Sequence, residues 1–189
     1  MPGQGRSRRA VYAHAAARLS HPGRRGLRGL GLARAQQALG ATFGEKAGWE
    51  RPNYFAGVAA EHQATRERAG LFDFSSFSKI QVQGSGALAF LQRITCNEMD
   101  KPIGSITYTQ MLNPRGGIEC DLTITRLAAD RFYIITGTAF GPHDLAHMRR
   151  HAPDDGTVYI DDITSSRAVV GLWGPRARDI LQSVTPDDI

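Results

Sequence analysis

Asp121 lies in a strand-forming run at 119–127, just after the turn-forming residues Asn113, Pro114, Arg115, Gly116 and Gly117. Side chains alternate along a strand, so Cys120, Leu122 and Ile124 share one face while Asp121, Thr123 and Thr125 share the other. The two glycines are free to take positive φ and close the turn. An ordinary aspartic carboxyl titrates near 3.9 and is ionised at neutral pH, so a carboxylate on that polar face can stabilise a cation or take up a proton. A solvated strand aspartate fits the same pattern, and spacing alone does not choose between them.

Other candidates are weaker. His143, His147 and His151 recur every four residues and would line one helix face, as metal-binding imidazoles can. The first and last, however, stand about 12 Å apart along the axis, too far to share an ion, and no HExxH glutamate accompanies them. They are expected on a solvated face, and no metal site is assigned. Cys120 beside Asp121 has no base nearby in sequence to activate a thiol, so it is expected to be a half-buried small hydrophobe. The glycine-rich stretches at 23–31 and 84–86 match neither GxGxxG nor the phosphate loop, so nucleotide binding has no support.

The elements that must position Asp121 follow from periodicity. A helix is expected over 57–69, ended by Gly70, and a short alternating strand at 79–83, ended by GSG. Ala87, Leu88, Leu91 and Ile94 have helical spacing. Three strand-like runs follow at 106–112, 119–127 and 131–136, with connections short enough to require antiparallel neighbours. Gly141-Pro142 opens a helix to about residue 151. Strands at 157–160 and 167–173 and a helix at 175–184 complete, from residue 79 onward, the order β, α, β, β, β, α, β, β, α. The predicted class is α+β, a mainly antiparallel sheet with flanking helices. Trp49 and Trp173 are expected in the core.

The chain has 189 residues and a formal charge of +5, but that charge is unevenly placed. Residues 1–44 hold eight arginines and no lysine or acid, while the remaining 15 basic and 18 acidic residues leave the body at −3. A mildly acidic body has no broad footprint for a phosphate backbone, so no nucleic-acid partner is expected. Residues 1–42 are expected to be a disordered Arg-rich leader and 43–189 the folded part. The leader's lack of acids fits a mitochondrial transit peptide, and Arg-rich RNA binding or a tail without function fits the same composition. No apolar run reaches membrane-spanning length, so no membrane partner is expected. Two cysteines without CxxC spacing argue for a reducing compartment, the cytoplasm or alternatively the mitochondrial matrix.

Six segments in order, GWERPNYF (48–55), GLFDFSSFSKIQVQG (70–84), FLQRITCNEM (90–99), YTQMLNPRGGIECDLTITRL (108–127), ITGTAFGPHDL (135–145) and GLWGPRARDIL (171–181), resemble the aminomethyltransferase family. This is the folate-binding fold of the glycine cleavage T-protein. GWERPN, FDFSSF and GGIECDLT bring the chain nearest the folate module of sarcosine and dimethylglycine dehydrogenases. The resemblance implies transfer of a one-carbon unit from a small amine-derived donor to tetrahydrofolate, linked to glycine, sarcosine or dimethylglycine catabolism. The family's catalytic aspartate precedes the Leu of GG-x-x-x-D-L, which here is Asp121. Cys120 replaces the acidic neighbour found in the T-protein. Tyr108 and Phe77 match positions lining the pterin pocket, and either also fits ordinary packing.

The family's later GYTGE-type motif and substrate-binding arginine have no counterpart before Ile189, and no flavin domain is present. The implied fold is therefore an incomplete T-protein-like one, its function a partial module needing a C-terminal half or a flavin dehydrogenase partner. A non-catalytic folate-binding or assembly subunit, or an inactive fragment, is the alternative expectation.

Overall fold

The structure is a computed structural model and describes residues 27–189. Its centre is a five-stranded antiparallel sheet in the order β6-β7-β8-β5-β9, formed by β5 (Ser78–Gln83), β6 (Ile106–Leu112), β7 (Ile118–Ala128), β8 (Arg131–Thr136) and β9 (Tyr159–Asp162). Period-two alternation gives the sheet two unlike faces. Ile80 and Val82, Met111, Cys120, Leu122 and Ile124, and Phe132 and Ile134 all point to one side. There they meet Ala87, Phe90 and Leu91 of α3 (Ala87–Ile94) and Met148 of α4 (Gly141–His151), so helices cover that face and form the core. A two-layer arrangement of this kind is how a sheet with one apolar face reaches closure.

Strands β6, β7 and β8 run as a meander, as their short connections require. The sheet is not laid down in sequence order beyond this. Strand β5 comes first in the chain yet pairs with β8, and α4 carries the chain across so that β9 pairs with the far side of β5. Pro142 sits in the first turn of α4, where a missing N–H costs no helical bond.

Two smaller sheets flank this unit. One joins β1 (Arg28–Gly29), β3 (Trp49–Tyr54) and β2 (Thr42–Lys46), with α1 (Ala33–Ala38) between the first and second strands of the chain. The other pairs β4 (Gly70–Asp73) with β10 (Val170–Trp173), and α2 (Val58–Glu67) and α5 (Ala177–Gln182) lie next to it in sequence. The order of elements from β5 to α5 agrees with the sequence pattern. Strand β9 lies two residues further along than expected, at Tyr159–Asp162, and β10 begins three residues later than expected but ends at the same residue, Val170–Trp173.

Four expectations need correction. His147, expected on a solvated face, is buried at 4% exposure. Residues 28–42, assigned to the leader, contain β1, α1 and the start of β2. Leu30 and Ala33 are buried, the Arg28 guanidinium lies 4.3 Å from the Trp49 ring centroid, and Gln36 Nε2 donates to Asp73 Oδ2 at 2.7 Å. The few apolar residues there lack helical periodicity but are held by partners far along the chain, which composition does not register. The rest of the leader lies outside the described residues. Trp173, expected in the core, is 55% exposed on β10, whereas Trp49 is buried as expected. Cys120, expected to be half-buried, is fully enclosed because α4 covers its face.

Candidate functional site

Asp121 is exposed on the face of the large sheet that α3 and α4 leave open. The hairpin register sets Gln110 of β6 directly opposite, and its Nε2 donates to Asp121 Oδ1 at 3.2 Å. Tyr108, one row further along β6 and opposite Thr123, is 60% exposed on the same face. Its hydrogen bond with the Asp121 carboxylate is the chief cause holding the phenol above its ordinary value. The negative side chain thus has two neighbours that supply hydrogen bonds, and none of the three is buried.

The outer edge of this arrangement is fixed by the chain leaving α3. Thr95 bridges to Met111, Cys96 N donates to the Gln110 carbonyl at 2.9 Å, and Asn97 Nδ2 donates to the Tyr108 carbonyl at 2.7 Å. An edge strand that would otherwise be free is held in register. At the inner end, the turn before β7 is organised by Asn113, whose Oδ1 accepts from the N–H groups of Arg115 and Gly117. Gly116 has φ +79°, the positive value that the turn demands.

Phe77 is half-buried and approaches the same face from β5. The β5–β8 ladder ends at Ser78–Thr136, one residue short of Phe77 and Gly137, and the β7–β8 ladder ends at Thr123–Ile135, two residues short of Asp121 and Gly137. Continued at the same register, the two ladders would set these side chains about 10 Å apart at the usual strand spacing. Gly137 has no side chain, and a Cβ there would stand 3.1 Å from Cδ2 of Phe140. The Phe140 ring, 64% exposed, takes that space. Phe77 also packs on Phe74 at 5.1 Å between centroids, and Phe74 stacks on Phe72. The loop bearing Phe74 and Phe77 is tied from below by Lys79, whose Nζ donates to the carbonyls of Ser75 at 2.8 Å and Phe77 at 2.9 Å. Burial lowers the Lys79 pKa to about 8 against the attraction of Asp162 and Asp73.

The structure thus brings Asp121, Tyr108 and Phe77 to one face, and adds Gln110, Asn97 and Phe140. Gln110 was within reach of sequence reasoning, because a meander with a turn at 113–117 puts residue 110 near residue 121. Phe140 was not, since its position depends on a long-range pairing. These residues form an open surface and not a pocket. One surface recess of about 550 Å³ is lined by Thr65, Arg66, Phe72, Phe74, Trp173 and Pro175, another of about 670 Å³ by residues of α3 and the 98–100 loop; neither includes Asp121, Tyr108 or Phe77.

The histidines do not converge. His147 and His151 lie with ring centroids 4.4 Å apart, while His143 turns toward Asp144 and Glu119. Burial and then the adjacent Asp144 carboxylate push the Cys120 thiol far above its ordinary value, which disfavours the thiolate in the metal-free chain.

The model of the GCVT N-terminal domain matches residues 32–189. The chain belongs to the GCVT N-terminal domain family. An aminomethyltransferase of Chlorobaculum parvum is 38% identical over 80% of this chain and 42% of its own length. The 4-methylaminobutanoate oxidase (formaldehyde-forming) of Paenarthrobacter nicotinovorans is 37% identical over 79% of this chain and 20% of its own. The crystal structure of the glycine cleavage system aminomethyltransferase T from Bartonella henselae superimposes with a TM-score of 0.75 at 34% identity, covering 83% of this chain and 43% of that one. The chain spans less than half the length of these GCVT-family relatives. Among the described residues no helix is long and apolar enough to cross a membrane.

Proposed function

We propose that this chain forms one wall of a tetrahydrofolate-dependent one-carbon transfer site, with Asp121 as its catalytic carboxylate. The observation that carries the reading is the exposed Asp121 itself. It is held by Gln110 and Tyr108 on the face of the sheet that the helices leave open, and the sequence resemblance matches it to the family's GG-x-x-x-D-L aspartate. Tetrahydrofolate, when bound, supplies the nitrogen nucleophile that accepts the one-carbon unit. Asp121 can take the proton which that nitrogen loses, and its charge favours a cationic donor carbon. The exposed ring of Tyr108 and the rings of Phe77 and Phe140 give flat apolar surface on either side of the carboxylate, suited to one face of a pterin.

The donor is a small amine-derived one-carbon unit, in the dehydrogenase manner an N-methyl amine already oxidised to its iminium. The oxidation belongs to a flavin partner, and the remaining walls to a C-terminal half of the module. Support for this incompleteness comes from the open shape of the site. A ligand of pterin size is ordinarily enclosed over about 70% of its surface or more, and the described residues offer one side. The reading is tested by combining the chain with a complementary C-terminal half and following methylene transfer to tetrahydrofolate in single turnover. Transfer that requires both parts and is lost in Asp121→Asn supports it; transfer indifferent to Asp121 overturns it.

A further inference from the structure

We propose that Cys120, His143 and Asp144 form a binding site for one zinc ion, clamping β7 to the first turn of α4 behind the strand that carries Asp121. Cys120 Sγ, a His143 ring nitrogen and an Asp144 carboxylate oxygen all lie within 4.8 Å of one another, and Nδ1 of His143 is 3.0 Å from Oδ1 of Asp144. Around a tetrahedral zinc with bonds of about 2.0–2.3 Å, neighbouring ligand atoms stand roughly 3.3–3.6 Å apart. Side-chain adjustments of about an ångström therefore complete the geometry. Thiolate, imidazole and carboxylate together are a donor set suited to zinc and poorly suited to magnesium or calcium.

The atoms that would not bind the ion are already engaged in the way that orients metal ligands. His143 Nε2 faces Glu119 Oε2 at 3.6 Å, and Glu119 is held in turn by Asn113 Nδ2, which donates to its Oε1 at 2.8 Å. Asp144 Oδ2 accepts from the Thr136 hydroxyl at 2.6 Å. Nδ1 hydrogen-bonds Asp144 Oδ1, so taking up the metal requires the ring proton to reside on Nε2, where the facing Glu119 carboxylate can accept it. Glu119 reaches this position because it is the extra residue of a bulge: Met111 pairs with Cys120 and Leu112 with Ile118, leaving Glu119 outside the ladder.

Cys120 and Asp144 are buried, at 2% and 1% exposure, whereas the His143 side chain is 54% exposed and gives the ion a way in. The fourth position is left to water. Binding expels the thiol proton to solvent, so uptake of one zinc releases about one proton from the cysteine. The helix N-terminus opposes a cation there, so binding is weaker than at a four-ligand structural site. The row of three histidines thus contributes one ligand, and the partner it needed lies on another element.

The test uses the full chain carrying Cys96→Ser, which removes the exposed thiol. Cobalt(II) is titrated in and followed by absorption, then displaced with zinc. One equivalent giving a thiolate-to-cobalt charge-transfer band and tetrahedral visible bands is expected. Cys120→Ser should abolish the charge-transfer band, His143→Ala should weaken binding tenfold or more, and Glu119→Gln should weaken it by about tenfold. Circular dichroism establishes that each variant is folded; His143→Ala and Glu119→Gln alter exposed or half-exposed side chains and carry the test if Cys120→Ser is not. No thiolate band, or cobalt binding unchanged by His143→Ala and Glu119→Gln, overturns the proposal. Such unchanged binding would place the ion on other groups, His14 and His21 among them.

Discussion

Asp121 and Phe77 both lie just past the ends of the ladders that β8 makes with β7 and β5, at Thr123–Ile135 and Ser78–Thr136, and the Phe140 ring packs over the side-chain-free Gly137 that follows β8. Three elements distant in sequence thereby give a carboxylate flanked by aromatic surface.

The carboxylate is the first target. Asp121→Asn keeps the shape and the bond from Gln110 but removes the charge and the base. In a completed module we expect one-carbon transfer to fall by about 10²-fold or more with folate affinity little changed. Single-turnover kinetics beside equilibrium folate binding separates the two quantities.

The gap over Gly137 is the second. A valine there brings its Cβ to 3.1 Å from the Phe140 ring and adds two methyl groups, so the ring must move aside. Folate affinity of the completed module should drop several-fold. The thermal midpoint should change little, because Phe140 is exposed and contributes little burial. Equal affinity in Gly137→Val would remove Phe140 from the binding surface.

Lys79 gives a pH signature. It has no exposed surface, and its pKa is lowered from 10.5 to about 8 by burial. Between those values the unfolded chain binds more protons than the folded one, so stability rises with pH across that window. The cost of burying the charge, about 3 kcal/mol from the size of the shift, is present below pH 8 and gone above 10.5. Urea unfolding of the wild type should therefore gain on Lys79→Met as pH is raised from 7.5 to 10.5. Parallel pH profiles for the two proteins would contradict the burial of a titrating lysine.

The segment before residue 43 is not dispensable. Deleting residues 1–40 removes buried Leu30 and Ala33, the Arg28–Trp49 contact and the Gln36–Asp73 hydrogen bond. Loss of a buried leucine alone costs about 2–5 kcal/mol. A drop of many degrees in the thermal midpoint is expected by calorimetry, and an unchanged midpoint would show that β1 and α1 are not part of the folded unit.

By itself the chain should bind tetrahydrofolate weakly and self-associate. Leu71, Phe72, Val170 and Trp173 are exposed along the β4–β10 pair, forming apolar surface of the kind that seeks a partner. With Asp121 open to water, its attraction for a cation is screened several-fold relative to a closed site. Light scattering and calorimetric titration check this: a monodisperse monomer binding at micromolar concentration or below would mean that these residues complete the site.

The sequence by itself determined the α+β class, the meander from β6 to β8 and the outward aim of Asp121. These depend on period-two alternation and on a glycine turn, both local properties of the chain. It also carried the family in six ordered segments. Tertiary structure alone decided which distant residues meet. The pairing of β5 with β8 brings Phe77 to the end of β8 that Asp121 also approaches, and the path through α4 sets His143 and Asp144 over Cys120. The same long-range packing buries Leu30 against expectation, and the outward position of β10 leaves Trp173 exposed. Residue type predicts an average burial, whereas the burial of one side chain depends on what the rest of the chain lays over it.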